Sequence, residues 1–453
     1  MRLMRVVLAA LAIALTASTA ASAARYPNAG NPGKIRARPG GGKTLKVCSK
    51  AQAKAAKHKG SKAKRPNCFP TIQAAVDVSL PGDTVKVAPG VYRESVTIDA
   101  RHPQIKLIGS PSNPRKTVLE LKGLSKAKRQ NGLMINGADG VTVKGLFARD
   151  YLGNGFFALN VTGYTFQNLI AGWGGTYGIY AFHSKGGTIR DSEAFYNNDS
   201  GLYIGETPRQ TKPIRSIVTN IRSWGNQLGF SGTNMRYVTI TRSQWYNNGL
   251  GIVPNALDSE KFPPPEDNVI ADNDVFWNNF DYFRGAPFEV RGGAKGLSYP
   301  VGTGILLYGS HNTTIENNRV WGHFLVGIGA TDAIELRNGD EAAIRGVTVK
   351  NNALGRDGTD LNNYDLFYPG QITGVNSDNC FSDNSGVHRT LPADGSTLKP
   401  CPFSGTIPQS TEAFSTAVRW LSDTTHEAAW VVHDHPPFEG ITPLVHYTGK
   451  TPK

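Results

Sequence analysis

"YGIYAFHS" (residues 177–184) lies midway between two near-copies, "NGFFALNV" (154–161) and "SGLYIGET" (200–207), each 23 residues away. In all three a glycine is followed by alternating large residues. Aligning the glycines extends the series to Gly155, Gly178, Gly201, Gly229, Gly251, Gly304 and Gly327. Upstream of each stands a β-branched or aromatic residue: Val143, Phe166, Ile189, Val218, Ile240, Ile270 and Ile315. The offset is eleven or twelve residues in six of the seven cases, and the seventh, Ile270 to Gly304, holds an insertion. An eighth, partial copy starts at Val349. A base period of 22–23 residues with extra residues in only some copies marks a repeat architecture.

Each copy contains short alternating runs, such as "VTITRS" and "GIYAFH", separated by Asn, Gly and Ser, which are strand and turn signals. No copy has a helix-length amphipathic pattern. Three strands of roughly five residues with their turns fill about 22 residues. A chain that coils once per repeat lays each strand on its counterpart in the next turn. The expectation is therefore an all-β fold: a right-handed single-stranded parallel β-helix of three sheets and about ten coils. A second column supports it. Two positions after the upstream apolar residue come Gly145, Asn168, Asp191, Asn220, Arg242, Asp272, Asn317 and Asn351. Asn and Asp tolerate the left-handed turn between two strands, and stacked Asn side chains can hydrogen-bond from rung to rung.

On these repeats the chain resembles the pectate-lyase-like superfamily of right-handed parallel β-helix proteins. "FPTIQAAVDVSLPGDTVKVAPGVYRESVTI" (69–98) resembles the start of such a protein, a short capping helix followed by a first coil, and "IKLIGSP" (105–111) continues the likeness. Locally, Thr71 suits an N-cap, Ile72, Ala75 and Val76 share one face, and Pro81-Gly82 ends the helix. The resemblance spans residues 69–355 and implies a substrate cleft along the sheet that follows the repeating glycines. It does not extend to the best-known enzyme motifs. No "NTD" or "GHG" of the polygalacturonase type, no "QDTL" or "DFIFG" of the methylesterase type, and no dense Asp cluster for calcium is present. There is no strong metal motif, and calcium is implied only by the resemblance.

The ends of the chain read differently. Residues 1–23 carry Arg2 and Arg5, a short apolar run and Ala21-Ser22-Ala23, the pattern of a secretory signal peptide. Residues 24–67 hold thirteen Lys and Arg and no acid, so the net charge of +14 belongs to this arm and the signal, and the rest of the chain is near −1. Such an arm is expected to be disordered, serving as a solvated spacer or gripping an anionic cell-wall polymer. No nucleic-acid motif and no membrane anchor is read. With the β-helix at 68–355, residues 356–453 form a C-terminal extension or irregular cap. Of the three possible cysteine pairings, proximity favours Cys48–Cys68 and Cys380–Cys401, in keeping with export. His426, His433 and His435 fall together, but Pro436 and Pro437 preclude a helix that would align them.

Alternation places Phe157, Tyr180, Phe182 and Tyr203 on the outer face after the glycine, with Trp173 and Tyr177 just before it. Exposed aromatic rings suit sugar faces. At the strand end runs a polar column, Asn160, His183, Glu206 and Asn234. Rungs are about 4.8 Å apart, so a carboxylate would sit beside an imidazole there. The catalytic expectation is thus His183, Glu206 and Asp199, with Lys185 and Arg209 to neutralise a uronate carboxylate or an enolate. Asn160, Trp173, Tyr177, Tyr180, Phe182, Tyr203, Asn234, Arg284 and Arg291 would bind substrate, the last two from insertions beside the sheet. The reading is a secreted, monomeric protein, extracellular or wall-associated, that binds or cleaves an extracellular polysaccharide, any cleavage being by lyase or hydrolase chemistry. The alternative is a non-catalytic surface adhesin using the same groove.

Overall fold

The computed structural model describes residues 41–49, 68–290, 299–423 and 430–449. Arg291 and His426, the signal segment and most of the basic arm lie outside them. The described chain divides into two compact units, the first from 41–203 and 212–222, the second from 204–211 and 223–449.

In the first unit, helix Ile72–Asp77 forms as its sequence dictates. Thr71 caps it by accepting from the Ala74 amide, and Ile72, Ala75 and Val76 are buried. Glu94 takes the next two free amides, those of Ile72 (2.9 Å) and Gln73 (3.0 Å). Three parallel stacks follow. One aligns Val85, Leu107, Val143, Phe166 and Ile189 in register. A second runs through Gly90–Tyr92, Thr117–Glu120, Phe147–Arg149 and Ile170–Gly174. The third aligns Val96, Leu133, Phe156 and Ile179. Each aligned apolar residue of the first and third stacks is at most 1% exposed, so the core is the inside of the coil.

The second unit repeats the plan. Ile240, Ile270, Ile315, Val349 and Phe381 form one column, and Trp245, Val275, Val320 and Leu354 another. The third sheet stacks Phe230, Ile252, Ile305, Ile328 and Leu366, and ends on Thr390–Leu391. Helix Thr411–Ser422, capped by Ser410, packs Ala413 and Trp420 against Leu325, Val326, Phe367 and Leu391.

Two expected boundaries move. Strand Thr44–Val47, inside the basic arm, pairs in parallel with Thr84–Val87, because "TLKV" alternates and Cys48 is tied to Cys68. Strands Tyr364–Phe367, Cys380–Ser382 and Thr390–Leu391 continue the ladders beyond residue 355, where insertions had hidden the period. Both expected disulfides form, with Cα–Cα distances of 5.3 Å and 4.9 Å.

The repeating glycine has a steric cause. A Cβ on Gly155, Gly178, Gly229, Gly251 or Gly304 would come within 2.3–2.6 Å of the carbonyl oxygen of the next glycine. In the second unit it would also meet a stacked polar side chain, Asn248, Asn278 or His323. Those side chains form a ladder: Asn226 donates to Asn248 (2.9 Å), Asn248 to Asn278 (3.0 Å), Asn278 to His323 Nε2 (3.1 Å), and His323 Nδ1 to Asn362 (2.8 Å). A second ladder runs Asn273, Asn318, Asn352, Asn384, at 2.9–3.0 Å per step.

The expected Asn/Asp column is therefore the turn and not this ladder. Asn168, Asp191, Asn220, Arg242, Asp272, Asn317 and Asn351 all have φ between 48° and 56°. In the second unit it is the following residue that turns inward and hydrogen-bonds. Asn318 alone serves the Asn273 amide, the Asn273 carboxamide, the Ile270 carbonyl and Asn352. At about 1 kcal/mol per bond, Asn318→Ala is expected to lower unfolding free energy by about 3–4 kcal/mol. Asn317→Ala loses only a favourable left-handed residue, about 1 kcal/mol. Urea melts of the two variants check the contrast.

Candidate functional site

The polar column owes its composition to the backbone. Asn160, His183, Glu206 and Asn234 each have φ between 46° and 55°, the region where Asn, Asp and His are enriched. His183 and Lys185 are half-buried in the first unit, with the Lys185 amide on the Val161 carbonyl at 3.0 Å. Asp199 accepts from the Ser200 hydroxyl at 2.7 Å. In the second unit Glu206 is 5% exposed and accepts from the Lys261 amide (3.1 Å). Asn234 is fully buried, donating to the carbonyls of Leu257 and Glu260 (both 2.8 Å). Arg209 bonds the Pro263 carbonyl (3.0 Å) and lies 4.0 Å from Glu266. These three side chains hold the insertion at 257–266. Arg284 is paired to Asp281 at 3.2 Å.

The expected aromatic groove is also corrected. Phe157, Tyr177, Tyr180, Phe182 and Tyr203 are only 1–6% exposed. The rings cover one another: Phe157 stacks on Tyr180 at 4.4 Å and 8°, and Tyr177 and Tyr203 meet Tyr180 at 4.7 and 5.0 Å. They form a satellite core, since rings one rung apart are close enough to stack.

Trp173 is the exception, and it faces a different sheet. It is the penultimate residue of strand Ile170–Gly174, is half-buried, and has φ 53°. Asp150 holds the equivalent turn one rung earlier with φ 59°. A bulky side chain in this left-handed region is costly, and such outliers gather at functional positions. The Trp173 ring meets Phe195 edge-on at 4.8 Å and Phe147 at 6.2 Å. Gly172 makes room, because a Cβ there would lie 2.6 Å from the Phe195 ring. The Arg115 guanidinium sits 5.4 Å over Phe147 and 5.9 Å over Phe195, half exposed, and pairs with Glu193 at 3.1 Å.

Beside these rings lies a pair of carboxyl groups. Register places Glu120 directly against Arg149, and Asp150 follows in the turn. Arg149 Nε donates to Glu120 Oε2 at 2.7 Å, and the Lys122 amide reaches Oε1 at 3.3 Å. Glu120 and Asp150 lie close enough for each to shift the other's titration. Burial and then the bond to Glu120 and its charge push Asp150 above the usual carboxyl range. Burial also acts on Glu120, but the bond from Asp150 and the Arg149 guanidinium outweigh it and hold Glu120 low. The two carboxyls are therefore driven in opposite directions, Asp150 toward holding its proton and Glu120 toward giving it up. Two carboxyls whose environments drive them apart are equipped for acid–base work. Sequence reading missed them because the coil from Glu120 to Arg149 is 29 residues long, outside the base period. Aligning the alternating "TVLE" with "LFAR" would have revealed the contact.

A second cluster, Asp360, His433 and His435, gathers in the second unit. Sequence reading saw the histidines but had nothing to link them to an aspartate 73 residues away.

A family profile described as "Right handed beta helix region" matches residues 131–294. No curated protein matches the sequence. Among solved structures, the chain is similar to the A-module of mannuronan C-5 epimerase AlgE6 from Azotobacter vinelandii, at 17% identity and TM-score 0.47, over 69% of this chain and 89% of that one. It is also similar to pectate lyase Pel9A (14%, 0.41, 91% and 96%). A third likeness is to the catalytic domain of a GH87 α-1,3-glucanase (12%, 0.42, 78% and 66%). The profile match and the strand register together identify the fold: the chain is a right-handed parallel β-helix.

Proposed function

We propose that the protein binds an anionic extracellular polysaccharide on the outer face around Trp173 and cleaves it by uronate β-elimination at the Glu120–Asp150 pair. The observation that carries this reading is the Glu120–Asp150 pair, its two carboxyls driven in opposite directions, beside a partly exposed, left-handed Trp173. A carbohydrate ring stacks on an indole, and Arg115 supplies positive charge for a uronate carboxylate. Glu120 removes the proton at C5 and Asp150 delivers its own to the leaving O4. The C5–H and C4–O bonds break, a C4–C5 double bond forms, and the pair ends with one proton as it began. Hydrolysis suits the pair less well, because glycosidase carboxyls stand about 5–10 Å apart across the bond. His183 and Lys185, half-buried in the same unit, are the second place where a proton-transfer group and a cation could serve the substrate.

Export is part of the proposal. The signal-like start and two disulfides support it. The basic arm would add a non-specific hold on anionic wall polymer.

The test incubates the purified protein with uronic-acid and neutral polysaccharides. Ultraviolet absorbance of an unsaturated uronate supports the reading. New reducing ends without it assign a hydrolase instead, and retention without products makes the protein a binder. Trp173→Asn probes recognition separately, since Asn suits the left-handed turn as Asn247 does at φ 54°. Polysaccharide affinity is expected to fall about tenfold, the loss of roughly 1.4 kcal/mol of stacking, read by titration calorimetry.

A further inference from the structure

Residues 430–447 cross the outside of the second unit without joining its sheets. Trp430 Nε1 donates to the Val301 carbonyl (2.8 Å). Asn247 grips the segment twice, at the Thr442 carbonyl (2.8 Å) and the Leu444 amide (2.9 Å). The Asp281 amide meets the Val445 carbonyl at 2.6 Å. Phe438 packs edge-on against Phe276 (5.0 Å) and Trp321 (5.1 Å). Between these holds, the segment places two imidazoles on one buried carboxylate.

Asp360 is fully buried, and its Oδ1 lies 2.9 Å from His435 Nδ1 and 3.4 Å from His433 Nε2. The three donor atoms lie within 4.8 Å of one another. An ion with bonds of about 2.0–2.1 Å in tetrahedral geometry needs donors about 3.3 Å apart, so small shifts would close the set around it. The surroundings fix the ligands. Trp277 Nε1 donates to the other carboxylate oxygen at 2.6 Å. The His435 ring lies between Phe324 (5.3 Å, 9°) and Trp277 (5.1 Å, 28°). A ligand carboxylate tied by a second partner and a ring locked by packing are features of built metal sites. Trp277 holds a left-handed backbone, φ 50°, to make its contact. His433 is one-third exposed, which leaves a side of the set open to water.

We propose that Asp360, His433 and His435 bind one divalent transition-metal ion, zinc by ligand type, and that the ion fastens the C-terminal segment to its unit. Two imidazoles and one carboxylate suit zinc and fit poorly with calcium or magnesium, which take all-oxygen sets. His435 Nε2 faces the Asn279 amide at 3.3 Å, which puts the ring proton on Nδ1. Binding an ion at Nδ1 moves that proton to Nε2, so loading includes a change of tautomer and a small shift of the ring away from Asn279, whose Nδ2 is itself a donor held on the Gly322 carbonyl.

The test uses the full chain, stripped with chelator and dialysed. Added Co²⁺ is expected to give the intense visible absorption of a tetrahedral site at one equivalent, displaced by Zn²⁺. Zn²⁺ is expected to raise Tm. His433→Gln, at a partly exposed position that leaves folding intact, should cut Zn²⁺ affinity more than tenfold and abolish the Tm gain. No Co²⁺ spectrum, equal Zn²⁺ affinity in wild type and His433→Gln, or a response to Ca²⁺ alone would each overturn the proposal and leave the cluster a hydrogen-bonded fastening.

Discussion

Asp150→Asn is expected to lower kcat by about 10²–10⁴-fold, the usual worth of a positioned acid–base group, on whichever uronate polymer the substrate panel identifies. The variant is chosen so that little else changes. Asn tolerates the left-handed φ of 59° at this turn. Its amide can still donate to Glu120, so the geometry and the Glu120–Arg149 pair persist. What disappears is the transferable proton. KM should therefore move little, because Trp173 and Arg115, to which the proposal assigns sugar binding, are untouched. The pH profile adds a sharper check. Glu120 is held low and Asp150 is raised. Wild-type activity should fall at acid pH as Glu120 gains a proton, and at alkaline pH as Asp150 loses one. In the variant the alkaline limb should vanish from the residual rate. A wild-type-like kcat in a folded Asp150→Asn protein would remove this pair from the chemistry, and His183→Ala would then be the next variant to assay.

The repeat was legible because close packing enforces it. Gly155, Gly178, Gly229, Gly251 and Gly304 sit where a Cβ would strike the next rung, so the letter recurs as the coil recurs. The core columns were legible for the same reason. The polar positions were harder to read. Asn317 and Asn318 are adjacent and chemically identical, yet one satisfies a left-handed backbone and the other a ladder of carboxamides. Letters cannot separate those demands. The column of His183 and Glu206 looked like chemistry and is first a turn requirement. Alternation correctly sent Phe157 and Tyr180 outward, but outward from a sheet does not mean exposed to water, and stacked rings shield one another. Trp173 belongs to a different sheet from the strand it precedes. Glu120 with Asp150, and Asp360 with His433 and His435, are joined across an irregular coil and a returning tail, where no fixed period marks the contact.

The second large effect concerns acid. His323 occupies the place of an Asn in the ladder between Asn278 and Asn362, fully buried. Nε2 accepts from Asn278 and Nδ1 donates to Asn362, so the ladder needs the neutral ring. Burial lowers its pKa from 6.5 to about 4, against the smaller raising effects of Asn362 and Asp360. The direction of the pH effect follows. Below pH 6.5 the unfolded chain takes up a proton that the folded chain refuses, so stability declines as pH falls. The loss is complete near pH 4, below which both states are protonated. At about 1.4 kcal/mol per unit of pKa difference, the whole effect is about 3 kcal/mol. His323→Asn restores the carboxamide found at the neighbouring rungs, with the same donor and acceptor pattern. Its shorter side chain leaves a small gap beside Gly304 and costs some stability at neutral pH. The decline between pH 7.5 and pH 4.5, however, should be roughly 2–3 kcal/mol smaller than in wild type. Urea melts at the two pH values measure that difference directly. Because it is a difference between pH values within each protein, the neutral-pH cost of the substitution cancels. Identical acid slopes in the two proteins would mean that the ladder accepts a charged ring, and that the hydrogen-bond direction assigned to His323 is wrong.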